Sequence, residues 1–458
     1  MKSSLAELQP WISNAVVTSD GAFDGVSTDS RSVSSGNLVV ALRGERFDAH
    51  AFLAGVAAQG AAAVVVDHVP KGLRLPAMVV PDTRIALGEI ARHWRERFSI
   101  PVIGVTGSNG KTTVKEMIAS ILAAAFGNGQ FLATRGNLNN EIGVPLTLLR
   151  LDASCRAAVI ELGMNHPGEI AVLAQIAQPT VGLVNNAQRE HQEFMASVEA
   201  VAQENGAVIR ALPAGGIAVF PADDPFAPLW RTYANDKSDR RIVTFGLSAD
   251  ADVHCSYLSN VLGSDLQVSA CGQQFALRLS AVGTHNVRNA LAAIACTVAI
   301  GIDTKAIRHG LEAFTPVNGR LQRKTAACGA LLIDDTYNAN PDSVRAAIDV
   351  LAQAPAPRVL VLGDMGEVGA DGLRFHEEIG AYAKARGIEY LLTLGELATH
   401  AAEAFGERGR HFGDIDTINR AIEAILTPMA TVLVKGSRFM KMERVVQHLL
   451  GQSLQESH

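Results

Sequence analysis

The residues with the clearest chemistry lie between Gly104 and Thr113, in "GVTGSNGKTT". An apolar run ends at Thr106, glycines follow at 107 and 110, and Lys111, Thr112 and Thr113 open a helical pattern. Glycine tolerates positive φ and close backbone approach, and a helix N-terminus presents N–H groups to an anion. A lysine at this point can reach the terminal phosphates of a nucleotide, and the next hydroxyl can ligate Mg²⁺. The strict phosphate-loop spacing asks for glycine at 105, where this chain has Val105. The assignment therefore rests on the strand–turn–helix context and on the Lys-Thr pair. Gly107, Ser108, Asn109, Gly110, Lys111, Thr112 and Thr113 are the expected contacts to the phosphates of a nucleotide. The turn does not by itself choose among motors, switches, kinases and ligases. Its other reading is a Gly-rich connection that binds nothing.

Glu161 closes the apolar run "AAVIEL". A carboxylate at the C-terminal end of a strand, beside such a turn, could hold Mg²⁺; a solvated strand end is the alternative. His191, in "NNAQREHQEF", is either a metal ligand or a structural or exposed histidine, and its acidic neighbours Glu190 and Glu193 do not decide. "TRGNLNNEIGVP" (134–145) is dense in Asn and Gly. It could hydrogen-bond a substrate or form ordinary turns.

These residues need elements to position them. The 458 residues are 48% hydrophobic and 5% aromatic, with Ala, Gly and Val abundant, which suits an α/β protein of several domains with buried parallel strands. A small mixed α/β domain is expected over 1–98, with short strands in "NLVVAL", "AAAVVV" and "AMVV" and a helix in "IALGEIARHWRERF". From 99 to 315 strands and helices alternate, which predicts a central parallel-sheet domain that carries the phosphate turn. Within it, "SVEAVAQENGAVIRAL" reads as one helix, Asp252 to Ser280 as an antiparallel ribbon, and "HNVRNALAAIACTVAIGI" as a buried helix. A Rossmann-like third domain is expected over 316–458.

The net charge of −6 and a pI near 6.1, with no basic tract, argue against nucleic acid and anionic membranes as partners. Cys155, Cys255, Cys271, Cys296 and Cys328 have no metal-ligand spacing and read as reduced core residues of a cytoplasmic protein. "MKSSLAELQPW" lacks the apolar region of a signal peptide, and no apolar run approaches the ~18 residues of a membrane span. Nothing demands more than a monomer.

The motifs converge further. "GVTGSNGKTT", "NLNNEIGVPLTLL", "ELGMNHPGEI", "HNVRNALAAIA", "NGRLQ", "DDTYNANPDS", "LGDMGEVG" and "VKGSRFMKMERV" occur in that order, after "STDSRSVSSGNLVVALRGERFDAHAF". The sequence resembles the Mur ligase family over nearly its whole length. "DDTYNANPDS" and "LGDMGEVG" distinguish it from folylpolyglutamate synthase and from the other Mur ligases. The resemblance implies an ATP-dependent, Mg²⁺-requiring amide ligase that adds D-alanyl-D-alanine to UDP-N-acetylmuramoyl-tripeptide through an acyl phosphate, in peptidoglycan synthesis. It implies three domains that bind the UDP sugar, ATP and the incoming amine.

Carried over residue by residue, Thr112, Glu161 and His191 match metal positions, and Glu161 and His191 join Lys111 as catalytic. Asn286 and Asn289 match adenine contacts; Arg320 and Asp335 match nucleotide contacts, Asp335 suiting a ribose hydroxyl. Ser30, Arg31 and residues 44–50 match the uridine-nucleotide region. Asn139, Asn140, Tyr337, Asn338 and Asn340 match substrate positions, and Lys435 and Arg438 a support for the closed form.

Two departures stand out. Asn205 occupies the position of a lysine whose carbamate helps hold a second Mg²⁺ in many family members; it offers a neutral carbonyl oxygen instead, with Glu204 a possible substitute. Phe194 stands where glycine is expected. Asn205 leaves open a second reading, a non-catalytic ATP-binding regulator of cell-wall synthesis.

Overall fold

A computed structural model describes residues 1–44, 47–190, 193–260 and 263–452. Three sheets carry the architecture. The first runs in the order Val16–Val17, Ala77–Val79, Ala63–Val66, Leu38–Val40, Val26–Ser27, parallel except for its first pair. The second has nine strands, of which six form a parallel body: Val253–Asn260, Arg241–Phe245, Ile217–Pro221, Val181–Val184, Val102–Thr106 and Ala158–Glu161. Leu132–Ala133 adds a parallel edge, and Gly263–Ala270 and Gln273–Leu279 extend the opposite edge as the expected antiparallel ribbon. The third sheet orders Gln322–Thr325, Leu331–Asp335, Thr431–Lys435, Arg358–Gly363, Tyr390–Leu394 and Gly409–Phe412, antiparallel only in its first pair.

The strand Val102–Thr106 shows why the central sheet forms. Every residue in it is buried. Val102 faces one core with Ala158 and Ile160, while Ile103 and Val105 face another with Val159 and Leu183. This two-residue alternation between cores is the pattern of a parallel sheet covered on both sides. Lys111–Phe126, Thr284–Ala299 and Thr304–Ala313 cover one face. The other core is shared with the N-terminal sheet through Thr83–Glu96, whose Leu87, Ile90 and Trp94 pack with Leu148 and Leu173. The third sheet divides likewise, with Ile333 and Leu360 on one side and Leu332 and Val359 on the other.

Some expectations need correction. "SVEAVAQENGAVIRAL" is not one helix: it breaks at Gly206 into Val198–Asn205 and Ala207–Arg210. A Cβ at Gly206 would stand 2.7 Å from the Tyr233 ring, so tertiary packing sets this position. The cysteines are not all core residues; Cys255 and Cys296 are buried, but Cys271 and Cys328 are exposed. Helices Ala398–Phe405 and Ile415–Glu423 and the strand Gly409–Phe412 fill a stretch where the sequence pattern assigned nothing. Among the described residues no helix is long and apolar enough to cross a membrane.

The architecture places the site. Val102–Thr106, earlier in sequence than both its neighbours, lies between Val181–Val184 and Ala158–Glu161. The sheet therefore winds in opposite directions from it, and a crevice opens at the carboxyl ends of these strands.

Candidate active site

The phosphate turn leaves Val102–Thr106 and enters the helix Lys111–Phe126. Gly107 has φ +130° and Gly110 φ +83°, values that disfavour any side chain. Space forbids one as well, since a Cβ would lie 2.9 Å from Asn185 Cβ at the first and 2.4 Å from Asn289 Oδ1 at the second. Val105 belongs to the buried strand, so the glycine missing from the strict pattern is not needed for the turn.

Two asparagines hold the turn, through their side chains and one main-chain carbonyl. Gly107 N–H donates to Asn205 Oδ1 at 2.9 Å, Ser108 N–H to Asn186 O at 3.1 Å and Asn109 N–H to Asn186 Oδ1 at 2.8 Å. The first-turn N–H groups of the following helix have no intrahelical acceptor and are the ones positioned for an anion. Lys111 Nζ donates to Gly107 O, to Ser108 O at 3.2 Å and to Glu190 Oε1 at 3.1 Å.

Glu161, 2% exposed, ends its strand beside the turn. Its Oε1 accepts from Thr112 Oγ1 at 3.2 Å and Asn139 Nδ2 at 2.8 Å. Its Oε2 is buried and finds no hydrogen-bond partner among the described residues. A buried carboxylate oxygen without a partner is costly, and a cation beside Thr112 would satisfy it. His191, the other expected metal ligand, lies outside the described residues, as do Glu45 and Arg46 of the 44–50 segment.

These groups border a cavity of about 620 Å³ between the central and third sheets. Ser108, Asn109, Gly110, Lys111, Thr112 and Thr113 line it on one side, with Asn139, Asn140 and Glu161 next to them. Asn286 and Asn289 also line it, and Arg320, Asp335, Tyr337, Asn338, Asn340 and Lys435 line it from the third sheet's side. Gly107 is buried and is not among the lining residues. Ser30, Arg31 and Arg438 are not brought to this cavity. Arg31 pairs with Asp29 at 2.8 Å, and Arg438 with Glu443 at 2.9 Å.

An amide relay ties the walls together. Asn289 Nδ2 donates to Asn286 Oδ1 at 3.1 Å, Asn185 Nδ2 to Asn289 Oδ1 at 3.0 Å and to Asn109 O at 2.7 Å, and Asn340 Nδ2 to Asn109 Oδ1 at 2.9 Å. On the facing wall Asp335 Oδ1 accepts from Leu321 N–H at 3.1 Å and Oδ2 pairs with Lys435 Nζ at 2.6 Å. Lys435 also donates to Asn338 O at 2.9 Å. The Arg320 guanidinium lies 4.0 Å over the Tyr337 ring, with Nη2 3.5 Å from Thr112 Oγ1. Asn140 Oδ1 accepts from Gly143 N–H at 2.9 Å, which anchors the Asn-rich loop.

The departures acquire roles. The Asn205 oxygen is occupied by Gly107, and Glu204 caps another helix, accepting from Gly168 and Ile170 N–H at 2.8 Å each. Both oxygen sets serve main-chain donors of neighbouring segments. Phe194 packs on His166, ring centroids 4.7 Å apart. Sequence reasoning missed Asn185, Asn186, Gln188 and Glu190 as neighbours of the turn. The signal was available in the polar string "NNAQRE" directly after a strand.

The chain matches three family models in order: the Mur ligase family catalytic domain over 22–95, the Mur ligase middle domain over 105–297, and the Mur ligase glutamate ligase domain over 319–438. It is 39% identical over 457 residues to the UDP-N-acetylmuramoyl-tripeptide–D-alanyl-D-alanine ligase of Escherichia coli, covering 97% of this chain and 98% of the relative. Its structure is similar to that of MurF from Acinetobacter baumannii, with TM-score 0.91, 33% identity and 99% of each chain covered. It is also similar to the MurF ligase of Thermotoga maritima solved in complex with ADP, with TM-score 0.82 and 26% identity over 93% of this chain and 97% of that one.

Proposed function

The chain belongs to the Mur ligase family, and from that premise we infer that it is the ATP-dependent ligase that joins D-alanyl-D-alanine to UDP-N-acetylmuramoyl-tripeptide. The observation that carries the reading is its likeness, over nearly the full length of both chains, to a relative of that activity. The products are UDP-N-acetylmuramoyl-pentapeptide, ADP and phosphate, and the reaction belongs to peptidoglycan precursor synthesis.

The chemistry follows from the poor reactivity of a carboxylate as an acyl donor. The tripeptide carboxylate attacks the γ-phosphorus of ATP and expels ADP, giving an acyl phosphate. The amine of the dipeptide attacks the acyl carbon, and the tetrahedral adduct collapses with loss of phosphate. Lys111 offsets charge on the transferring phosphoryl group. The Gly107 to Thr113 turn holds the triphosphate, and the amide groups of Asn286 and Asn289 hold the adenine. Arg320 and Asp335 contact the nucleotide from the facing wall.

Mg²⁺ fits the oxygen donors beside the turn. Thr112 and Glu161 would hold it, with His191 as a further ligand, and it would neutralise phosphate charge when bound. The orphaned Glu161 Oε2 supports this. Tyr337, Asn338 and Asn340 bind the dipeptide, while Asn139 and Asn140 face the tripeptide. Ser30 and Arg31, on the N-terminal sheet's side, contact the uridine nucleotide. The domains divide at about 98 and 315, and the enzyme acts in the cytoplasm as a monomer.

The test is phosphate release from Mg-ATP and UDP-N-acetylmuramoyl-tripeptide, with and without D-alanyl-D-alanine, the product weighed by mass spectrometry. Dipeptide-dependent release with a pentapeptide product is expected. No release from a folded chain that binds ATP would refute the reading and favour a non-catalytic regulator.

A further inference from the structure

Arg189 sits on the segment leaving Val181–Val184, between two residues that touch the phosphate turn. Gln188 Oε1 accepts from Asn109 Nδ2 at 2.7 Å, and Glu190 holds Lys111. The Arg189 side chain engages the helices of the third sheet instead. Its main-chain N–H donates to Asp342 Oδ2 at 2.9 Å, and its Nη2 to Asp342 Oδ1 at 2.6 Å. Nη1 and Nη2 also donate to Glu378 Oε2 and Oε1 at 2.9 and 3.1 Å. The guanidinium stands 5.4 Å from the Phe375 ring. Arg345 donates to Glu378 Oε1 at 2.9 Å, so two arginines and two carboxylates balance across the seam.

A solvated ion pair contributes little. This one differs in geometry and in burial: Arg189 is 25%, Asp342 23% and Glu378 33% exposed at the side chain. One planar fork meets two carboxylates, a match that a lysine cannot reproduce. Asp342 lies in the first turn of the helix Pro341–Ala352, whose N-cap Asn340 bonds Asn109. Fixing Asp342 therefore fixes the loop from Tyr337 to Asn340 against the phosphate turn.

We propose that Arg189 is a positioning residue: it clasps Asp342 and Glu378 and so seats the Tyr337–Asn340 loop over the phosphate turn, where an acyl phosphate and an amine must meet. What is seated rests on the ligase reading; the clasp itself does not. Reaction between two bound groups depends steeply on their alignment, so loosening this seam lowers the rate without touching the nucleotide contacts.

The experiment uses the full chain as Arg189→Ala, Arg189→Lys, Glu378→Gln and the Arg189→Ala/Glu378→Gln pair. Small-angle scattering with saturating Mg-ADP is read beside steady-state kinetics. Arg189→Ala is expected to enlarge the radius of gyration and to lower kcat/KM for D-alanyl-D-alanine about tenfold, with KM for ATP held within about twofold. Glu378→Gln moves the same readouts in the same direction, the pair is no worse than Arg189→Ala alone, and lysine does not restore the wild-type values. Should Arg189→Ala not fold, Glu378→Gln decides by the same readouts. A wild-type radius with wild-type kinetics overturns the clasp, as does a KM for ATP that rises in step with the dipeptide's. If wild-type protein shows no ligase turnover, the ligase reading falls, and scattering alone still decides the clasp: an unchanged radius in Arg189→Ala overturns it.

Discussion

Lys111 has three ammonium hydrogens and three acceptors: Gly107 O, Ser108 O and Glu190 Oε1. A γ-phosphate must take the place of at least one of them, and Glu190 is the one whose charge the phosphate opposes. Lys111→Ala is expected to cut turnover at least about 100-fold while the thermal unfolding midpoint stays near wild type; turnover at the wild-type rate would remove the turn from the reaction. Asn205 is argued from burial. It is 1% exposed and gives Gly107 N–H its acceptor. Asn205→Ala strands that donor, at a cost of about 1–3 kcal/mol, and urea unfolding together with ATP titration should show lower stability and weaker binding. The identity of Asn205 was legible as a departure from a family pattern. Its partner was not, because the bond spans 98 positions of chain and no local spacing encodes it. Lys111, Thr112 and Glu161 were legible because turn chemistry and strand ends are local.

The helix Pro341–Ala352 depends on Asn340, which caps Ser343 N–H at 2.8 Å in a capping box and also reaches Asn109. Asn340→Ala should cost about 1 kcal/mol from the cap and loosen the contact with the phosphate turn. Chemical denaturation and KM for the dipeptide measure the two effects, and an unchanged KM would separate the cap from the substrate site. The helix Gly372–Ala385 brings a buried histidine, His376, whose Nδ1 bonds Gly372 O at 2.6 Å and whose Nε2 accepts from Met365 N–H at 3.0 Å. That pairing requires the neutral ring, and burial lowers its pKa from the ordinary 6.5. The unfolded chain then binds more protons just below pH 6.5, so stability falls as pH drops through that region. Urea midpoints between pH 7.5 and 5 should decline in the wild type and decline less in His376→Gln; equal slopes would contradict the assignment. Most elements were legible from apolar runs and their period. The break at Gly206 was not, and the crowding that excludes a side chain there comes from the Tyr233 ring of another helix.

Across the whole molecule, the apolar clusters beside the sheets are built from the chain's own strands and helices. Sedimentation equilibrium should return a mass near 48.4 kDa, and a dimer at micromolar concentration would overturn that expectation. The sheets are not independent. The N-terminal and central sheets share a core, and Val282 of the central region packs with Ile348 and Leu360 of the third. By itself the sequence determined the alternation of strands and helices, the phosphate turn, and the family to which the motifs belong. These depend on periodicity and on residue types at short spacing, which a linear chain displays directly. Tertiary structure decided which N–H groups the asparagines occupy, that Glu204 caps a neighbouring helix, and that Arg189 meets Asp342 and Glu378 across 153 and 189 positions of chain. Such contacts are set by how whole sheets and helices pack, and packing is a property of all the burial in the molecule rather than of any local stretch.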